Sequence, residues 1–209
     1  MTAPAGVKIC GINSPLAFDT VVEAGADWLG FVFFARSPRY VTAPQAASLA
    51  ARHQNGPARV GLFVSPNMAE IADTLAVLRL DALQLYGNVD LAAIRTRFGI
   101  PLWRAVGVTT AADLPADCRD ADALLIEAKA PAGATRPGGN AATFDWSLLQ
   151  GWAAPCPWLL AGGLTPENVA AAIRATGAPA VDVSSGVESA PGIKDPARIR
   201  AFITAARGT

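Results

Sequence analysis

Val181-Asp182-Val183-Ser184-Ser185-Gly186-Val187-Glu188 decides the reading of this chain. It begins as an apolar, β-branched strand and runs directly into small hydroxyl residues and a glycine. Such residues let backbone N–H groups approach an anion, as a phosphate cup requires. At the other end of the chain Val7-Lys8-Ile9-Cys10-Gly11 is a second short strand, stopping on a cysteine and a glycine. A thiol and an anion cup at the C-terminal ends of the first and last strands share one mouth only if those strands are neighbours. Closing a barrel makes them so.

Working inward from the two ends, apolar runs recur at 7–10, 28–33, 58–64, 82–86, 102–106, 123–127, 158–161 and 180–184. Most are almost continuously hydrophobic, as parallel strands buried on both faces should be. Helical stretches separate them. The stretch at 15–24 follows Ser14, 43–53 follows Thr42, and 68–79 follows Asn67. Later, 166–175 follows Thr165 and stops at Gly177, and 196–207 follows Asp195 and stops at Gly208; each preceding residue is a good N-cap. Weaker helical patterns occupy 90–98, 111–119 and 146–153. Eight strand–helix units predict an α/β fold, a single (β/α)8 TIM barrel spanning 1–209 as one domain. A doubly wound sheet is the competing architecture, since periodicity does not report closure. No Gly-x-Gly-x-x-Gly opens the first helix, which counts against it.

Composition narrows function. The 209 residues are 52% hydrophobic, with 17 basic against 17 acidic residues, which leaves no broad charge to attract nucleic acid or an anionic membrane. No apolar run approaches the ~20 residues that span a bilayer, and no signal peptide is expected from the residues before the first strand. The three cysteines, Cys10, Cys118 and Cys156, show no paired spacing, and the only histidine is His53. The expectation is a reduced, cytoplasmic protein without a metal site, with Cys118 and Cys156 as packing residues.

The chemistry-bearing residues gather at predicted strand ends. Lys8 shares the inward side of its strand with Cys10, and as a buried cation it needs a carboxylate, for which Asp182 is the natural candidate. Lys8 and nearby amides would favour the Cys10 thiolate, although a free cysteine is also a good small hydrophobe. Glu127 terminates the sixth strand, where burial would raise its pKa and suit it to general acid work; a salt bridge to Lys129 or Arg104 is the alternative. Ala161-Gly162-Gly163-Leu164 and Ser184-Ser185-Gly186 end the seventh and eighth strands, where barrels often hold phosphate. Two long connections, 34–41 and 128–145, lie on the same face; the first carries Arg36 and Arg39, either of which could fork a carboxylate. Tyr86 ends the fourth strand.

With these residues in place the sequence resembles phosphoribosylanthranilate isomerase over essentially its whole length. The resemblance rests on Lys8-Ile9-Cys10-Gly11, on Gly30-Phe31-Val32-Phe33 with Ser37-Pro38-Arg39-Tyr40, and on Gly139 with Phe144-Asp145-Trp146. It continues through Leu160 to Leu164 with Glu167-Asn168-Val169, and Val181 to Glu188 with Pro191-Gly192 and Lys194-Asp195. It implies a tryptophan-pathway enzyme that turns N-(5-phosphoribosyl)anthranilate into 1-(2-carboxyphenylamino)-1-deoxyribulose 5-phosphate, an Amadori rearrangement with no cofactor, by a monomer or homodimer. Carried over by position, Cys10 is the general base and Glu127 the general acid. Arg39 holds the anthranilate carboxylate, Asp182 orients the amino-sugar, and Gly139, Gly163, Ser185 and Gly186 hold the phosphate. Three positions depart from the pattern: Glu127 replaces an aspartate, Tyr86 replaces a frequent histidine, and Gly138-Gly139-Asn140-Ala141 replaces a Gly-Ser/Thr-Gly-Lys run. Rival readings are a histidine-pathway ribosyl isomerase, which has aspartate where this chain has Cys10, and a non-catalytic phosphosugar-binding barrel.

Overall fold

In a computed structural model of the chain, which describes residues 4–130, 133, 138 and 143–208, eight parallel strands form a closed barrel. They are β1 (Gly6–Cys10), β2 (Trp28–Val32), β3 (Ala58–Val64), β4 (Ala82–Tyr86), β5 (Leu102–Val108), β6 (Ala123–Ala128), β7 (Trp158–Leu160) and β8 (Ala180–Val183). Each pairs with the next, and β1 pairs with β8 in a register that sets Lys8 beside Asp182. The doubly wound alternative is thereby excluded. A short antiparallel hairpin, β9 (Glu188–Ala190) and β10 (Ile193–Lys194), follows the barrel.

The helices form where side chains can satisfy their first N–H groups. In α1 (Pro15–Glu23) Ser14 Oγ accepts from the Ala17 amide, and α2 (Ala43–Ala50) starts from a reciprocal Thr42–Gln45 capping box. Asn67 and Glu70 do the same for α3 (Met68–Val77), and Asp90 caps α4 (Leu91–Phe98). Asp195 accepts from the Ala197 and Arg198 amides to open α6 (Pro196–Arg207). Removing such a cap costs about 1 kcal/mol. The helix expected at 166–175 starts later, as α5 (Val169–Thr176), because Thr165 to Asn168 form a preceding turn in which Asn168 Oδ1 accepts from the Thr165 amide.

Two expected helices are absent. The 111–119 stretch makes only a 3-10 turn at Ala111–Asp113, and 146–153 only one at Trp146–Leu149. Pro115 removes an N–H from the first stretch, and Arg119 and Asp120 take left-handed φ values of 44° and 62°. Gly151, at φ 74°, ends the second after one turn. The segments are joined instead by a Cys118–Cys156 disulfide, with Cα atoms 6.3 Å apart. This corrects the expectation of three reduced cysteines with 118 and 156 as mere packing residues. They precede β6 and β7, which pair directly, so barrel closure draws together residues 38 positions apart.

The shell between barrel and helices is apolar, with Ile9, Phe31, Leu83, Leu124 and Val181 fully buried, while Val60, Trp103, Leu125 and Leu159 pack together in a second cluster inside the barrel. Lys8 and Gln84 are equally buried. No described helix is long and apolar enough to cross a membrane.

Candidate active site

Strand alternation sends Lys8 and Cys10 of β1, Gln84 and Tyr86 of β4, Glu127 of β6 and Asp182 of β8 toward one region. A cavity opens at the C-terminal ends of the strands, where these side chains converge. Cys10, Arg39, Glu127, Gly163, Asp182, Ser185 and Gly186 all line it. Of the loop singled out in the sequence, Gly139, the proposed phosphate contact, lies outside the described residues together with Asn140 and Ala141.

Lys8 Nζ donates to Asp182 Oδ1 at 2.7 Å across the β1–β8 seam. Burial pulls the pKa of this amine down, but Asp182 and then Cys10 more than offset it, and it lies above the ordinary lysine value. Ser184 Oγ donates to the Cys10 carbonyl at 3.1 Å, pinning the end of β8 to the end of β1.

At Cys10 the expected effect of Lys8 meets a larger one from burial. Burial pushes its thiol up, Lys8 pulls it down by less, and Asp182 pushes it up again. Lys194 also pulls it down, and burial outweighs both lysines. Cys10 therefore rests as a thiol, not a thiolate.

Glu127 is 5% exposed, and burial pushes its pKa up to about 8 against a smaller opposing effect of the Tyr86 hydroxyl. Neither expected salt-bridge partner pairs with it among the described residues: Arg104 donates to the Asp117 carbonyl, and the charged groups that act on Glu127 are Asp182 and Lys8, not Lys129. The carboxyl is thus a neutral proton donor near neutrality. Burial and Glu127 hold the Tyr86 phenol well above its ordinary range, so it stays protonated, and its oxygen accepts from Gln84 Nε2 at 3.2 Å. Gly138 covers this group from above. A β-carbon there would lie 2.8 Å from Tyr86 Oη and 3.1 Å from each Glu127 oxygen, so only glycine fits without a shift.

On the opposite wall Arg39 is 3% exposed and forks onto Glu188, Nε to Oε1 at 2.6 Å and Nη2 to Oε2 at 2.8 Å. Arg36, by contrast, is exposed. Gly162 and Gly163 take φ values of 85° and 63°, which bend the chain after β7 toward the Ser185–Val187 turn after β8. Gly186 packs directly on the Leu164 carbonyl, so the two loops interlock.

The sequence reading passed over Gln84, Gly138, Lys194 and the role of Glu188. Gln84 carried a legible signal, since it stands two residues before Tyr86 and must share its inward side. Gly138 carried none, because its importance lies in what passes beneath it.

Residues 7–205 match the family model described as N-(5'-phosphoribosyl)anthranilate (PRA) isomerase. A curated relative from Acidiphilium cryptum, named N-(5'-phosphoribosyl)anthranilate isomerase, is 56% identical, covering 97% of this chain and 98% of the relative. Among solved structures, phosphoribosyl anthranilate isomerase from Thermotoga maritima is 37% identical with a TM-score of 0.86, covering 98% of this chain and all of that one. Another phosphoribosyl anthranilate isomerase structure, in complex with reduced 1-(o-carboxyphenylamino)-1-deoxyribulose 5-phosphate, is 36% identical with a TM-score of 0.83 and covers 98% and 100% of the two chains. Fold, cavity and sequence agree: this chain belongs to the PRA isomerase family.

Proposed function

We propose that this PRA isomerase works by general acid–base catalysis, with Glu127 as the acid and Cys10 as the base. The observation that carries the reading is a neutral, buried carboxyl lining the same cavity as a thiol beside a lysine–aspartate pair. In the Amadori rearrangement the ring oxygen of the aminoaldose takes a proton as its bond to C1 breaks, leaving an iminium at C1. Loss of the C2 proton then gives an enolamine, which becomes the ketone. Glu127 suits the first step because it still holds its proton near neutrality. Cys10 in its thiolate form suits the second. The iminium places a positive charge near the thiol and acts on it in the same direction as Lys8.

The remaining assignments concern orientation. Arg39 holds the anthranilate carboxylate by a charge-assisted contact. Asp182, while accepting from Lys8, orients the amino-sugar. The backbone at Gly163, Ser185 and Gly186, with Gly139 from the loop beyond, binds the phosphate. This anchoring turns the proton transfers into events within one fixed geometry. We read the chain as one domain acting in the cytoplasm as a monomer or homodimer, on a phosphosugar and without a cofactor.

The test is anthranilate-adduct fluorescence. Purified protein should consume phosphoribosylanthranilate and leave the histidine-pathway aminoaldose untouched. Turnover of both would identify a dual-substrate isomerase, and tight product-analogue binding without turnover would identify a non-catalytic barrel.

A further inference from the structure

The hairpin that follows the barrel carries two buried charged side chains to which the acid–base steps above assign no role. Glu188 of β9 and Lys194 of β10 bury their side chains to 4% and 0% exposure, as deeply as that of Arg39, at 4%. Lys194 Nζ donates to Glu188 Oε1 at 2.8 Å and to the Ser184 carbonyl at 2.8 Å. The Gly192 amide donates to Glu188 Oε2 at 3.2 Å, and the Gly192 carbonyl accepts from Asn13 Nδ2 at 2.9 Å. The glutamate thus receives donors from three sides, and the hairpin is tied to the loop after β1.

Two features give this cluster a purpose beyond packing. First, the Glu188 fork engages Nε and Nη2 of Arg39, which fixes the guanidinium plane and leaves the Nη1 group for a ligand in the cavity that Arg39 lines. A freely rotating arginine would lose conformational entropy on clamping a carboxylate; this one has already lost it. Second, two positive charges stand against one negative. The adjacent Lys8–Asp182 pair is balanced, so the buried cluster keeps a surplus positive charge that a monoanion can neutralise.

We propose that Glu188 and Lys194 are positioning residues for substrate recognition, presenting Arg39 in a fixed orientation and with a net positive charge to the anthranilate carboxylate. The proposal rests on the reading of Arg39 as the carboxylate contact, and its test separates the two. The probes are reduced 1-(o-carboxyphenylamino)-1-deoxyribulose 5-phosphate and its phenylamino counterpart without the carboxylate, with binding followed by calorimetry.

The wild-type protein should prefer the carboxylate probe, and Arg39→Ala should lose that preference. Lys194→Met, which removes the surplus charge and one of the donors that hold Glu188, should cut the preference about tenfold. Its affinity for the carboxylate-free probe should change less than about twofold, a selective loss that a general structural defect does not produce. Glu188→Asp, which keeps the charge balance but withdraws the fork from Arg39, should fall between Lys194→Met and the wild type. If Arg39→Ala loses the preference while Lys194→Met keeps it, the positioning role is overturned and the Arg39 reading stands. If Arg39→Ala keeps it, both fall. Should Lys194→Met fail to fold, Glu188→Asp carries the comparison: a selective loss supports the proposal and an unchanged preference overturns it.

Discussion

Replacing Glu127 with glutamine should make the protein more stable and far less active, and the gain in stability should depend on pH. Burial holds the Glu127 proton in the folded state up to about pH 8, against 4.5 for an ordinary glutamate. Below pH 4.5 both folded and unfolded chains carry the proton, and its contribution to stability is complete. As pH rises toward 8 the unfolded chain ionises while the folded one does not, so that contribution is progressively lost. At about 1.4 kcal/mol per pH unit the full loss is about 5 kcal/mol. Glutamine does not titrate, so subtracting its melting curve from that of the wild type isolates this one group. Between pH 5.5 and 8.5 the advantage of the variant should grow by about 3 kcal/mol, a widening on the order of 10 °C in Tm. Calorimetric melts at the two pH values measure it. Parallel assays should show turnover reduced on the order of 10²–10⁴-fold. A Tm difference independent of pH would refute the burial argument, and near-normal turnover by the glutamine variant would refute the assignment of the acid.

Tyr86→Phe removes the hydroxyl that opposes the effect of burial on Glu127. The carboxyl should then titrate above 8, seen as an upward move of its carbon-13 resonance midpoint and of the alkaline limb of kcat; an unmoved midpoint rejects the contact. Cys10→Ala should lose about 10²–10⁴ in turnover while still binding the product analogue, and retention of more than a tenth of the activity would remove Cys10 as the base. The Cys118–Cys156 bond closes a separation of 38 residues, a constraint on the unfolded chain of about 4 kcal/mol. Reduction should therefore lower Tm by roughly 10 °C, and three free thiols in denatured, unreduced protein would show that the bond does not form.

Most of the barrel was legible because its local signals and its global closure agree. Ser14, Thr42, Asn67 and Asp195 each cap the helix that their side-chain chemistry suggests. The errors fell where a helical hydrophobic pattern competed with backbone constraints: Pro115 and Gly151 override it, and neither changes the spacing of apolar residues. At the site, alternation along a strand brought Lys8 and Cys10 to one side, while partnership with Asp182 required knowing that the barrel closes. Lys8 does pull the Cys10 thiol down, as its place on β1 suggests, but burial acts more strongly, and the depth of burial of a strand end is not written in its spacing. Glu188 stood inside a recognised motif, yet its bond to Arg39 spans 149 residues and has no local signature.

The seam between β1 and β8 also sets when the protein can act. Lys8 and Asp182 lie 174 residues apart in the chain, as do Cys10 and Ser184, and each pair is joined by a hydrogen bond. A nascent chain that has completed seven strands already holds the thiol and the carboxyl of Glu127. It lacks the partner that keeps Lys8 protonated, the turn at Ser185, and the hairpin that grips Arg39. Catalytic competence therefore arrives only with the last strand, as the barrel shuts. A ribosome-bound or C-terminally truncated chain should be chemically silent, and adding the missing C-terminal segment as a separate peptide should restore turnover in step with closure of the seam.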